Sequence, residues 1–275
     1  MSVQSGNEGS AARWPFRIDD AFHGLDVRAR EALIHSLPGV VFWPLLLWLL
    51  AFAGAFIATV IWTLSGAEAG PIAFGTVLMV FIALAYALLM SLFYIWTGSR
   101  GYGAAVFRLW PVRWSDPGLA LLALLIAILV GGPLSVLIHD LAMLDPTLTV
   151  SGGADPNEIS NVETYLQAGA SAWALALATV IAAPLAEEIL FRGWMQPMII
   201  ARGVPTVLAI LISALFFGLV HMFDGLQVMA YTFFLGIALG VLRQWTGRLA
   251  APVIAHMLNN AWALFGAPFV LQWLG

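Results

Sequence analysis

Seven apolar runs, nearly free of charge, follow one another along this chain: 39–64, 71–97, 118–139, 170–201, 205–222, 226–243 and 250–265. A helix of about 20 apolar residues crosses the roughly 30 Å of hydrocarbon in a bilayer. The chain is 61% hydrophobic and 9% charged, whereas soluble domains carry about 45–50% apolar and about 25% charged residues. The charge deficit decides the matter, because a soluble surface needs charges that this chain lacks. The expected fold is all-α: a polytopic transmembrane helix bundle of about seven or eight spans. The apolar tail 266–275 is too short to cross alone.

Charge placement orients the bundle. Seven crossings put the N-terminal segment, 98–117, 202–204, 244–249 and the end of the sixth span on one side. That side holds Arg13, Arg17, Arg28, Arg30, Arg100, Arg108, Arg113, Arg202, Arg243 and Arg248. The other side, with 65–70, 140–169, 223–225 and the C-terminus, holds no basic residue. Such a bias marks the cytoplasmic side, so the N-terminus is expected in the cytoplasm of a bacterial inner or plasma membrane. Four regions follow: a cytoplasmic tail 1–38 with an interfacial helix over 15–37, three spans in 39–139, an extracytoplasmic loop 140–169, and a helical core 170–275. The first 38 residues contain no apolar core of a cleavable signal peptide. Trp43, Trp48, Trp62, Trp96, Trp110 and Trp114 lie in or near the ends of the early spans, and several suit an aromatic belt.

The absence of cysteine removes disulfides, thiolate metal sites and cysteine nucleophiles. Every basic residue is arginine, so Schiff-base and Ser-Lys chemistry are removed as well.

Within the fourth run stands Ala183-Pro184-Leu185-Ala186-Glu187-Glu188-Ile189-Leu190-Phe191-Arg192. Each charge at mid-bilayer costs about 2.5–3.5 kcal/mol on insertion scales. Glu188 and Arg192, at i and i+4, share a helix face and should pair. Glu187 points about 100° away and has no partner in its own helix. Later runs add His221, one turn after Phe217, and His256, one turn before Asn260. Singly, the ion pair reads as a helix lock, and the histidines and Asn260 as hydrogen-bond glue between helices. His23, His35 and His139 keep that plain reading. As a set, a second carboxylate, two histidines and an amide exceed what packing needs, and converging intramembrane polar groups line water-containing cavities. A carboxylate and a histidine can hold and deprotonate water. A second histidine and an asparagine can donate to an oxyanion. Equally, Glu187, His221 and His256 form a three-ligand set for catalytic zinc. Polar function is expected to lie only after residue 170.

Glu-Glu-x-x-x-Arg, Phe-x-x-x-His and His-x-x-x-Asn, in that order on successive spans, resemble the motifs of the CPBP intramembrane proteases. That group includes the type II CAAX prenyl endopeptidases and proteins linked to bacteriocin processing or immunity. The resemblance covers roughly 170–265. It implies a catalytic cavity within the membrane, with Glu187 as the general base helped by His221. His256 and Asn260 would form the oxyanion hole, and Glu188 and Arg192 the supporting ion pair. It leaves zinc against a metal-free glutamate mechanism open, and the amide of Asn260 beside His256 favours the latter. Partners implied are membrane lipid and a peptide or prenylated protein, with no nucleic acid.

Straight vertical spans would hold His221, His256 and Glu187 too far apart. The fourth span, which carries the Glu-Glu-x-x-x-Arg motif, is therefore expected to break or kink at Pro184 or Pro197. Gly236 and Gly240 form a GxxxG that reads as close packing inside the bundle. Two other functions compete: a non-catalytic, partner-binding or immunity protein of the same fold, and a proton-coupled transporter. The second lacks an inverted repeat of interrupted spans.

Overall fold

The computed structural model describes residues 37–65, 71–101, 103–144, 173, 176–201 and 204–266. The tail 1–36 with its interfacial helix, most of the loop 140–169, Arg202 and the end 267–275 lie outside the described residues. Every regular element among the described residues is helical. Helices α1 (Leu37–Ser65), α2 (Pro71–Ser99) and α4 (Asp116–Leu144) each have 29 residues, or about 43 Å at 1.5 Å per residue. A four-residue helix, α3 (Gly103–Val106), interrupts the segment joining α2 to α4. Helix α5 covers 178–201, α6 is Thr206–Leu219, α7 is Leu226–Thr246 and α8 is Ala250–Ala261. A wider turn, Trp262–Gly266, extends α8.

The faces of these helices are inverted relative to a soluble bundle. Phe56 and Leu64 of α1, Leu84 and Ile95 of α2, and Leu129 and Val136 of α4 stand exposed. The charged side chains Glu188, Arg192 and Arg243 are fully buried. An outside of leucine and an inside of paired charge suits lipid as solvent. Asp116–Leu141 and Leu226–Thr246 are long and apolar enough to cross a membrane. Val40–Leu50, Ala83–Ser99 and Thr206–Leu219 are shorter apolar stretches. Among the described residues the chain is all-helical, and its apolar outer faces are consistent with a helical membrane protein.

Helix α7 packs against both α4 and α6, and α8 lies on α4 and the start of α5. Gly236 and Gly240 make this closeness workable. A methyl group at Gly236 would come within 3.0 Å of Ala214 and 3.3 Å of the Arg192 guanidinium. One at Gly240 would meet Gln196 Oε1 and Ile210 at 2.9 Å. This GxxxG therefore brings α7 against α5 and α6.

An aromatic cluster holds α5 to the first half of the chain. Trp194 stands edge-on to Phe93 at 5.7 Å and to Trp96 at 5.2 Å, and Trp43 meets Phe93 at 5.0 Å. Trp43 and Trp96 thus pack inward and leave the aromatic belt; Trp110 and Trp114 stay exposed.

Beside this cluster, at the end of α2 and the start of α4, Arg248 pairs with Asp116, and Asp116 also accepts the Arg113 backbone N–H at 2.8 Å. The Leu249 N–H donates to the Arg108 carbonyl at 2.9 Å. Two of the ten arginines counted toward one side, Arg243 and Arg248, are in fact buried within the fold.

From Ala178 to Ala201 the fourth run, where a break or a kink is expected, follows one unbroken path of helical backbone. The backbone stays right-handed helical at Ala182, Ala183, Glu188, Ile189 and Gln196. Two wide π-type stretches, Ala178–Ala182 and Ile189–Met195, alternate with α-helical Ala183–Glu188 and Gln196–Ala201. Each proline sits second in an α-helical stretch, directly after a wide one. A proline lacks an N–H and its ring crowds the carbonyl four residues back. The wider turns relieve that crowding and keep the helix continuous.

Candidate active site

The wide turn Ile189–Met195 begins immediately after the two glutamates, so α5 presents Glu187 and Glu188 to different neighbours. Glu188, fully buried, accepts from Arg192 Nη1 at 2.8 Å through Oε1. The same oxygen lies 2.9 Å from His256 Nδ1 on α8. Arg192 also donates to the Gly236 carbonyl at 3.1 Å, and its guanidinium lies 4.3 Å from the centre of the Phe217 ring. Around it Arg243 donates to the Arg192 carbonyl and Gln196 to the Gly240 carbonyl, both at 3.1 Å. A buried guanidinium is thereby held by a carboxylate, a carbonyl and an aromatic face, which together offset its loss of water.

Glu187 is 8% exposed. Its two oxygens go to different partners: Oε1 accepts from the Tyr86 hydroxyl at 3.2 Å, and Oε2 faces His256 Nε2 at 3.8 Å. The second distance exceeds a hydrogen bond, and a water lying to one side can reach both atoms. His256 therefore stands between both carboxylates. Its Nδ1–H serves Glu188, which leaves Nε2 toward Glu187.

His221, half-buried at the end of α6, turns its Nδ1 to the Phe217 carbonyl at 2.8 Å. A carbonyl only accepts, so Nδ1 carries the proton and Nε2 keeps its lone pair when the ring is neutral. Phe217 is edge-on to both imidazoles, with centroids 5.1 Å from His221 and 5.4 Å from His256. His221 makes no hydrogen bond or ion pair with Glu187 among the described residues. In the turn beyond it, partial burial raises the Asp224 carboxyl pKa, and His221 pulls it back down.

Asn260 faces α5 one turn beyond His256 and donates through Nδ2 to the Thr179 carbonyl at 2.9 Å. Its Oδ1 accepts from Asn259 at 3.1 Å, and Asn259 in turn accepts from the Tyr231 hydroxyl at 2.7 Å. One N–H of the Asn260 amide remains for another acceptor.

The structure thus gathers Glu187, Glu188, Arg192 and His256 into direct contact. It sets His221 beside them across Phe217, and Asn260 one turn away on α8. Among the described residues no three His, Asp or Glu side chains, Glu187, His221 and His256 included, are grouped as metal ligands.

Sequence reasoning missed Tyr86, and with it the expectation that polar function lies only after residue 170 is corrected. Its signal was a hydroxyl in the middle of Ala83-Leu84-Ala85-Tyr86-Ala87-Leu88, far from the interface where tyrosine belongs. Asn259 and Tyr231 were missed as well; an asparagine beside a chosen asparagine offered no spacing cue.

Residues 169–262 match the family model described as type II CAAX prenyl endopeptidase Rce1-like. No curated protein and no solved structure matches the chain. The matched residues include Glu187, Glu188, Arg192, His221, His256 and Asn260. Over residues 169–262, which hold Glu187, Glu188 and Arg192, this chain is similar to the Rce1-like type II CAAX prenyl endopeptidases.

Proposed function

We propose that this chain is an intramembrane endopeptidase that hydrolyses a peptide bond near the membrane-anchored end of its substrate, prenylated CAAX-type proteins being the class the family points to. The observation that carries this reading is the division of the Glu187 carboxylate. One oxygen is held by Tyr86 at 3.2 Å and the other faces His256 Nε2 at 3.8 Å, close enough for both to touch one water. Glu187 Oε2 and His256 Nε2 hold the attacking water, and Glu187 takes its proton as oxygen attacks the scissile carbonyl. The carbonyl oxygen becomes an oxyanion, which accepts from the remaining N–H of Asn260. The proton then passes to the leaving amine as the C–N bond breaks. His221, with Nε2 available, assists that proton transfer. Glu188, tied to Arg192, orients His256 through Nδ1. The residues do not gather as zinc ligands, so no step is routed through a metal.

The test compares purified protein in detergent on a prenylated C-terminal peptide and on an unmodified one. Wild type should cleave, and Glu187→Ala and His221→Ala should not. Equal cleavage by all three would refute the assignment. A chelator added to the same assay should leave the rate unchanged.

A second reading is a partner-binding, non-catalytic protein of this fold. The engagement of both ends of the Asn260 amide, by Asn259 and Thr179, favours it. Binding of the peptide without cleavage by wild type would decide for it.

A further inference from the structure

The segment between α2 and α4 carries a surface that the buried site does not use. Helix α2 ends at Ser99, α4 begins at Asp116 and α7 ends at Thr246. These ends meet at one level: Arg248 pairs with Asp116, and the Leu249 N–H donates to the Arg108 carbonyl. The apolar flanks of α2 and α4 stop there, so the hydrocarbon stops there too. Residues 107–115 are fastened across that end of the bundle.

Phe107 and Leu109 pack against the core, while Arg108 and residues 110–115 are exposed. Trp110 is 74% exposed and Trp114 is 101% exposed. Arg100, Arg108 and Arg113 are exposed, and Arg100 lies 4.7 Å over the Trp96 ring. The one acid between 98 and 117 is Asp116. It is fully buried and already engaged by Arg248 and the Arg113 N–H. The exposed surface is therefore cationic and aromatic with no competing carboxylate. Indole rings at a helix-bundle end suit the zone between headgroup and acyl chain. A guanidinium fork fits phosphate oxygens in pairs. The backbone is braced beforehand, so binding need not order it.

We infer that the segment 107–115, with Arg100, is a docking surface for anionic phospholipid. Arg108 and Arg113 hold the headgroup phosphate, and Trp110 and Trp114 reach into the acyl layer. A zwitterionic headgroup brings its own cation to a surface that is already positive, so anionic lipid is preferred.

The test uses the full chain in dodecyl maltoside, titrated with phosphatidylglycerol or phosphatidylcholine. Thermal unfolding and native mass spectrometry report retained lipid. Wild type should bind phosphatidylglycerol more tightly than phosphatidylcholine. Arg108→Gln with Arg113→Gln should weaken phosphatidylglycerol binding by fivefold or more, since each arginine contributes roughly that factor. Its unfolding midpoint without lipid should stay at the wild-type value. Trp110→Gln with Trp114→Gln, changing rings that lie largely outside the bundle, should weaken both lipids. Equal affinity of wild type for the two lipids overturns the inference. So does a double-arginine variant within twofold of wild type, or an equal midpoint shift from inorganic phosphate alone.

Discussion

Among the described residues stand two buried carboxylate–arginine pairs, and they differ in a way that separates architecture from chemistry. At the end of the bundle, Asp116 meets Arg248 and one backbone N–H. One negative charge meets one positive charge, and the group closes a loop onto a helix. Inside the bundle, Glu188 meets Arg192 on the same terms, but the cluster does not end there. His256 is drawn in through Glu188, and a second carboxylate, Glu187, stands beside it with Tyr86 on its other oxygen. The first pair holds what it needs and nothing more. The second holds a carboxylate that no ion pair requires, at the edge of the buried region. Reactivity is expected where the polar inventory exceeds what stability requires.

The comparison is broken most directly at Glu187. Glu187→Gln should lower peptide hydrolysis by about 10²–10⁴-fold, the usual contribution of a general base. The thermal unfolding midpoint should barely move, because the amide still accepts from Tyr86. A midpoint collapse in this variant would make Glu187 a structural group like Asp116.

Arg192→Leu should cost about 3–5 kcal/mol, since Glu188 would stay buried without its cation. Unfolding in detergent checks it, and the expected sign is a large fall in midpoint with little folded protein recovered. Asp116→Asn should cost somewhat less, about 2–3 kcal/mol. The asparagine can still accept from the Arg113 N–H, and Arg248 also donates to the Thr246 carbonyl at 3.1 Å. Specific activity per folded molecule should survive Asp116→Asn.

The smallest effect is expected at Tyr86. Tyr86→Phe removes one hydrogen bond of about 0.5–1.5 kcal/mol from the base. Turnover should fall by roughly tenfold or less, with KM for the peptide unchanged. Wild-type turnover in this variant would leave Tyr86 as packing alone.

How much of this was legible beforehand divides along physical lines. The helices lie where the apolar runs do. The Glu188–Arg192 pair was visible as well, since its spacing is local to one helix. Position along a helix follows from 3.6 residues per turn and needs no tertiary information. At the prolines the local rule expected a break or a kink. The wide turns ahead of Pro184 and Pro197 carry the helix on instead, while α6 and α7 pack against it.

The sequence by itself determined an apolar, helical, lipid-facing chain with its ionisable groups gathered late, and it marked Glu187 as the carboxylate without a local partner. Only the tertiary structure decided who that partner is. His256 comes from α8 and Tyr86 from α2, far from Glu187 along the chain. His221 turns to its own helix and Asn260 to the Thr179 carbonyl. The reason is geometric: contacts within a helix follow from spacing, whereas contacts between helices depend on rotation and depth. Those are set by small-residue packing at Gly236 and Gly240 and by the fit of Trp194 among Phe93 and Trp96.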